Sequence, residues 1–262
     1  MELVATDLQR IRDLYYQGRY RQALAVGEPY GPLRTWTGPA SRLMAGRLAL
    51  QLGAPRMGHQ LHLVAFRESP AYPEAIYYHA RYRLETFGPL SCWHFLRQHP
   101  DWSDAQPDLR ADWLAVHALA AARLRDFDRA DRYLNQADGI AVDRAWLHVE
   151  RSSVLELCER TDEALVSAKR ALEITPWFRP GVQAVAHLHQ RAGRDLDAIE
   201  LLTQAAEHLE SGVILAHLAT LQYDQRRYHD ARRSLDQYAE LSPLIDREVT
   251  KWLAARQRGP VH

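Results

Sequence analysis

Four phrases in the second half of this chain are variations on one another: DFDRADRYLNQA, RTDEALVSAKRALEITP, RDLDAIELLTQAAE and RYHDARRSLDQYAELSP. Each carries an alanine, an apolar or small residue four positions later, and Ala or Tyr three after that. The leading alanines are Ala130, Ala164, Ala198 and Ala231, at intervals of 34, 34 and 33. A fixed period of roughly 20–50 residues marks a repeat architecture, in which one supersecondary unit stacks on copies of itself.

The same frame runs backwards through GRYRQALAVGEPY and APRMGHQLHLVAFRESP, placing Ala23 and Gly58 in the alanine slot. Gly18, Gly53, Gly88 and Gly193 give turn signals just before the second helix of their units. Upstream of each turn, apolar positions recur at helical spacing, as in Leu114, His117, Ala118 and Ala121. β-branched runs are absent and alternation never persists, so the unit predicted is helix, tight turn, helix.

This arrangement resembles the tetratricopeptide repeat, a 34-residue helix pair with small residues at two crossings and a closing proline. Pro70, Pro176 and Pro243 occupy the proline position, while Gly46, Ala118, Ala186 and Ala219 match the small residue of the first helix. The signature tryptophan of the first helix is missing, and glycine at the first crossing survives only at Gly46. The resemblance spans nearly the whole chain as about seven units, starting near residues 4, 39, 74, 111, 145, 179 and 212. It implies an all-α fold, an α-α superhelix of right-handed solenoid type, with each unit burying its apolar stripe against its neighbours.

The expected organisation is a single domain over 1–262: three degenerate repeats in 1–100, four more regular ones in 109–243, and a capping helix over 244–258. Leu244, Val249, Trp252 and Leu253 mark the inner side of that cap. Two stretches break regularity. GEPYGPLRTWTGP (27–39) holds three prolines and shortens the second helix of the first unit. HPDWSDAQPD (99–108) lengthens the connection between units three and four, either as a bend or as a boundary, and a bend is the reading preferred.

Composition narrows the function classes. Basic and acidic residues balance at 33 each, so no global field favours nucleic acid or an anionic membrane. All basic residues but Lys169 and Lys251 are arginines, a bias that a GC-rich bacterial genome explains. Two cysteines make no disulfide framework, and MELVATDLQR lacks the pattern of a signal peptide. Trp113–Leu124, the most apolar stretch, is too short to span a bilayer. A bacterial cytoplasmic location is expected, with neither nucleic acid nor membrane as partner.

Candidate chemistry concentrates at SCWHFLRQHPDW, where Cys92 stands among His94 and His99. A cysteine nucleophile needs a base in reach and an electropositive surrounding. His94 lies about 200° round a helix from Cys92, and Pro100 ends the helix near His99. If the Gly88–Pro89 turn is one residue short, Cys92 takes the alanine slot and is simply packed. A thiol or histidine site at the bend remains an alternative. His59 with His62, and His187 with His189, lack local company for a metal site. Gly-rich phosphate loops, GxSxG and HExxH are absent. No catalytic residue, cofactor or metal is expected.

In arrays of the resembled type the first helices line a concave groove that holds an extended peptide or a partner helix. Helical periodicity places a second stripe on those helices, and its binding candidates are Arg12, Tyr15, Arg47, Tyr78, Tyr82, Trp146, His187 and Tyr223. Leu43, Glu85, Val149, Ser153, Gln183 and Ala216 lie on the same stripe. Aromatic and arginine side chains are enriched at binding hot spots, and Arg12 and Arg47 would suit an acidic ligand. The function predicted is a non-catalytic scaffold that binds a protein or extended peptide. The alternative is an accessory repeat module of a larger bacterial enzyme, such as a papain-like double-glycine peptidase, for which the ending AARQRGPVH would be a cut between domains. Oligomer formation through an uncapped first unit is left open.

Overall fold

The computed structural model describes residues 1–99, 102, 105–141, 143–245, 250–252 and 254–255. In chain order the helices are α1 (Ala5–Tyr16), α2 (Tyr20–Gly27), α3 (Pro39–Gln51), α4 (Pro55–Glu68), α5 (Pro73–Phe87), α6 (Pro89–Leu96) and α7 (Pro107–Arg123). They continue as α8 (Phe127–Asp138), α9 (Ala145–Leu157), α10 (Thr161–Ile174), α11 (Arg179–Arg191), α12 (Asp195–His208), α13 (Gly212–Asp224) and α14 (Tyr228–Leu241). No strand occurs among the described residues, and the fold is all-α, of the α-α superhelix class.

Proline sets several of the helix starts. Pro39, Pro55, Pro73, Pro89 and Pro107 open α3 to α7, where the missing N–H would have had no intrahelical partner and the fixed φ suits the first turn. Between α2 and α3, short 3-10 turns at Glu28–Tyr30 and Leu33–Thr35 take up the Pro- and Gly-rich stretch, so α2 stops after 8 residues. Trp36 fills the space beneath them, wholly buried, its indole N–H donating to the Gly31 carbonyl at 3.1 Å.

The repeat has a geometric signature. The turn from each odd-numbered helix to the next carries one left-handed residue: Gly18, Gly53, Gly88, Arg125, Glu159, Gly193 or Arg226, with φ from 59° to 90°. The fourth residue of every even-numbered helix is small and buried: Ala23, Gly58, Cys92, Ala130, Ala164, Ala198 and Ala231. These small residues set how closely the helices cross. At α3 and α4 the approach leaves no room for a side chain, since a Cβ on Gly58 would lie 2.8 Å from the Gly46 carbonyl oxygen. The space beside Gly46 is taken by the ring of His62, whose Nε2 lies 3.2 Å from the Leu43 carbonyl oxygen.

The third pair has the short turn expected from the sequence: Cys92 follows the left-handed Gly88 by four residues, against five elsewhere. Cys92 is fully buried and its thiol meets the Ala80 carbonyl oxygen at 3.4 Å. His99 lies against Phe95, ring centroids 4.6 Å apart, and His94 against Trp93. Burial pushes the Cys92 thiol up to about 12, although Arg81, Arg83 and Arg123 pull the other way. Native protein at pH 7.5 should therefore leave Cys92 unmodified by a maleimide. Its reaction is expected on the order of a thousandfold slower than an ordinary thiol's, with at most Cys158 labelled until denaturant is added. Rapid native labelling of Cys92, located by peptide mapping, would reopen the thiol-site alternative.

In the 99–108 stretch, Pro100, Asp101, Ser103 and Asp104 lie outside the described residues. Trp102 stacks on Trp113 with ring centroids 4.1 Å apart, and α7 begins a full turn earlier relative to its crossing residue Ala118 than α3, α11 and α13 do relative to theirs. That extra turn contributes to the stretched interval.

The chain forms two compact units. One is Pro70–Ala192; the other joins Met1–Ser69 to the chain from Gly193 on. In the second, the two ends of the chain meet. The Glu210 N–H donates to the Gly18 carbonyl at 3.0 Å, and the Glu210 carboxylate accepts from the Arg21 N–H at 3.3 Å and the Gln22 amide at 3.2 Å. Leu209 lies so close to Gly18 that a Cβ there would stand 2.5 Å from it. After α14, the Leu244 N–H donates to the Leu52 carbonyl at 3.0 Å, and Ser242 and Ile245 pack on Gly53. The turns of the first two helix pairs are thus partly covered by the chain's own C-terminal segments. Thr250–Trp252 and Ala254–Ala255 are helical and Trp252 sits edge-on to Tyr238, while Val249, Leu253 and the end of the expected 244–258 helix lie outside the described residues.

Candidate functional site

Within the unit Pro70–Ala192, α5, α7, α9 and α11 each turn one face into an open cleft of about 470 Å³. Helical periodicity does this directly: Trp146, Val149, Glu150, Ser153 and Glu156 follow one face of α9, and Arg179, Gln183 and His187 follow one face of α11. The apolar part of the wall is Trp146, edge-on to Phe178 at 6.5 Å and packed in a cluster with Val149, Ile174 and Ala184. The indole N–H of Trp146 is buried with no hydrogen-bond partner.

Charge in the cleft is arranged in pairs. The Arg81 guanidinium lies 5.1 Å from the Trp146 ring centroid and forms an ion pair with Glu150, which is 2% exposed. Burial works against the charge on Arg81, but Glu150 and Tyr77 outweigh it and hold the guanidinium above its ordinary value. Behind this pair, Tyr77 is pushed well above the ordinary tyrosine value by burial. Arg123 donates to Glu85 and to the Leu84 carbonyl, both at 3.2 Å. Glu156 is met by His187 at 2.8 Å and by Arg191 at 3.4 Å. Arg179 donates to the side-chain oxygen of Gln183.

Of the binding residues expected from the sequence, Trp146 and His187 share this cleft, with Glu85, Val149, Ser153 and Gln183 from the same stripe. Tyr78 and Tyr82 do not line it: Tyr78 sits edge-on to Tyr77, and Tyr82 packs between His79 and Phe87. In the other unit, Tyr15 and Arg47 come together, the guanidinium 4.2 Å from the Tyr15 centroid and 4.9 Å from that of Tyr16. Arg12 is partly exposed on α1, and Tyr223 packs on Tyr228 at the end of α13. Leu43, placed on the binding stripe by periodicity, is 3% exposed and belongs to the core.

Sequence reasoning missed Arg81, Leu119, Arg123, Glu150 and Arg179. Arg179 had a legible signal, because it stands one turn before Gln183 at the start of the same helix. A second hollow, of about 660 Å³, lies between α8, α9 and α10, and several charges at it are paired: Arg160 with Glu163, Arg170 with Glu173, and Arg151 with Asp138. Among the described residues no group of three or more His, Cys, Asp or Glu side chains is placed to hold a metal ion, and no helix is long and apolar enough to cross a membrane.

No protein-family model matches this chain, and no curated protein matches it at a significant level. Among solved structures, it is similar to a tetratricopeptide repeat protein from Parabacteroides merdae over 97% of this chain and 98% of that one, with TM-score 0.54 and 12% identity. It is similar to yeast Tom70 over 96% of this chain and 53% of that one, with TM-score 0.54 and 12% identity. A third match is the Cut9–Hcn1 hetero-tetramer of the APC/C, covering 97% of this chain and 49% of that one, with TM-score 0.49 and 12% identity. The chain thus spans about half the length of the Tom70 and Cut9–Hcn1 chains it matches. The first two likenesses define a class of fold, stacked helix pairs with small residues at their crossings. The fold is that of the tetratricopeptide repeat.

Proposed function

We propose that this chain is a bacterial, cytoplasmic, non-catalytic scaffold, one repeat array that holds a protein or extended peptide against its first helices. The observation that carries the reading is the cleft itself: four successive odd-numbered helices align one face each around an open trough with an aromatic anchor, Trp146, on its wall. A trough of this kind suits an extended segment, because successive pockets along it can take alternate side chains. Trp146 is the anchor we assign first, with His187 beside it. Tyr15 and Arg47, with Arg12 and Tyr223, form the further contact surface proposed for the unit that holds both chain ends. Tyr78 and Tyr82, on α5 outside the cleft lining, are the remaining contacts proposed for this unit.

Affinity capture with wild type and a Trp146→Ala, His187→Ala variant tests this. Truncating a central anchor typically costs about 2 kcal/mol or more of binding, so partners held by wild type should be lost from the variant. Circular dichroism and thermal melts establish that both chains are folded. A Val166→Asp variant, altering the hollow between α8 and α10 instead, should keep its partners. Equal recovery from wild type and the double variant would reject the cleft as the binding surface.

A further inference from the structure

We propose that Arg179 reads a carboxylate, and that the occupant of the cleft is an extended peptide segment with an internal Asp or Glu side chain beside a bulky apolar residue. This rests on the binding function proposed above and names its ligand. The other charges in the cleft already have opposite partners: Arg81 with Glu150, Arg123 with Glu85, and Glu156 with His187 and Arg191. Arg179 has only the neutral amide oxygen of Gln183. A guanidinium offers five N–H donors in a fixed fork that matches a carboxylate, so most of its capacity is unused within the protein.

Charge complementarity therefore has one sign. A cationic side chain entering the cleft would meet carboxylates that each already hold a cationic partner, while an anionic one would meet Arg179 and displace at most one amide contact. The apolar requirement sits next door. Phe178, adjacent to Arg179 in the chain, packs against Trp146, whose wall with Val149 and Ala184 would take a large apolar side chain. An internal carboxylate fits better than a chain terminus. A terminal carboxylate caught in a nest of backbone N–H groups would find one of them missing here, because Pro180 follows Arg179 and has no N–H to give.

The test uses the full chain and fluorescein-labelled octapeptides of Ser and Leu with one central Phe, followed by anisotropy. The first peptide is blocked at both ends and carries Glu beside the Phe. The second replaces that Glu by Gln. The third is the Gln peptide with a free C-terminal carboxylate. Wild type should bind the Glu peptide about tenfold more tightly than the Gln peptide, the size of one charge-assisted hydrogen-bonded pair. Arg179→Gln should erase that ratio, the Glu and Gln peptides then binding alike, and Arg179→Lys should keep part of it. Binding without discrimination, discrimination that survives Arg179→Gln, or a preference for the free-terminus peptide over the Glu peptide would each overturn the assignment while leaving a peptide-binding cleft standing. If wild type binds none of the three, the assignment falls together with the cleft reading beneath it.

Discussion

Replacing Arg81 by Met is expected to destabilise the protein by about 3–5 kcal/mol, because it strands the carboxylate of Glu150. Glu150 is 2% exposed, and Arg81 is its ion-pair partner. The same region of α5, α7 and α9 already holds Asp112, whose carboxyl is raised by burial although Arg144 donates to it at 2.9 and 2.8 Å. A second buried carboxylate there, this one uncompensated, would have few groups to turn to. In a chain of this size the loss corresponds to a fall of about 10 °C in Tm. The control is the double variant Arg81→Met, Glu150→Leu. Removing both members of a buried pair is often neutral or stabilising, so the double variant should recover most of the loss. A single variant that melts within a degree or two of wild type, or a double variant no better than the single, would show that the pair does not hold α5 to α9.

The second large effect is acid lability. His62 is buried beside Gly46 and His117 lies between Trp113 and Tyr133; burial lowers them to about 3 and about 4. Their unfolded value is about 6.5, so below that pH the unfolded chain binds more protons than the folded one. Stability is then complete above about pH 6.5 and falls as the pH drops towards the folded values. By pH 5 each histidine should have withdrawn about 2 kcal/mol. Asp112, raised by burial, works in the opposite sense and softens the fall. Urea midpoints measured from pH 7.5 to 4.5 check this. A His62→Gln, His117→Gln variant should show a much flatter dependence, and an unchanged slope would locate the acid sensitivity elsewhere.

Much of this fold was legible because its rule is written in small residues at fixed spacing. Ala130, Ala164, Ala198 and Ala231 announce the period, and the cysteine at position 92 obeys it once the short Gly88 turn is allowed for. The turns were less legible where the left-handed position is held by Arg125, Glu159 and Arg226, since these residues bear a steric penalty that local sequence does not advertise. Periodicity could say which face of a first helix is free, and so found Trp146 and His187. It does not separate a free face from one covered by a neighbour, so it points Leu43 into the groove although Leu43 lies in the core. Nor could it find the pairing of Arg81 with Glu150, residues 69 positions apart whose meeting depends on how α5 and α9 are brought together.

The bonds that join Gly18 to Glu210 and Leu52 to Leu244 bear on the order of events in folding. A linear repeat stack can begin anywhere and grow by local steps, each new helix pair finding its neighbour already made. Here α1 to α4 are synthesised before the segments they pair with and wait for them. At about 5–20 residues per second, the turn residues Gly18 and Leu52 stay without those partners for roughly ten to forty seconds. Such a chain has a slow, high-contact-order closing step added to a fast, low-contact-order stack. The N-terminal pairs are accordingly the part of this chain most dependent on the segments from Leu209 to Ile245 having arrived.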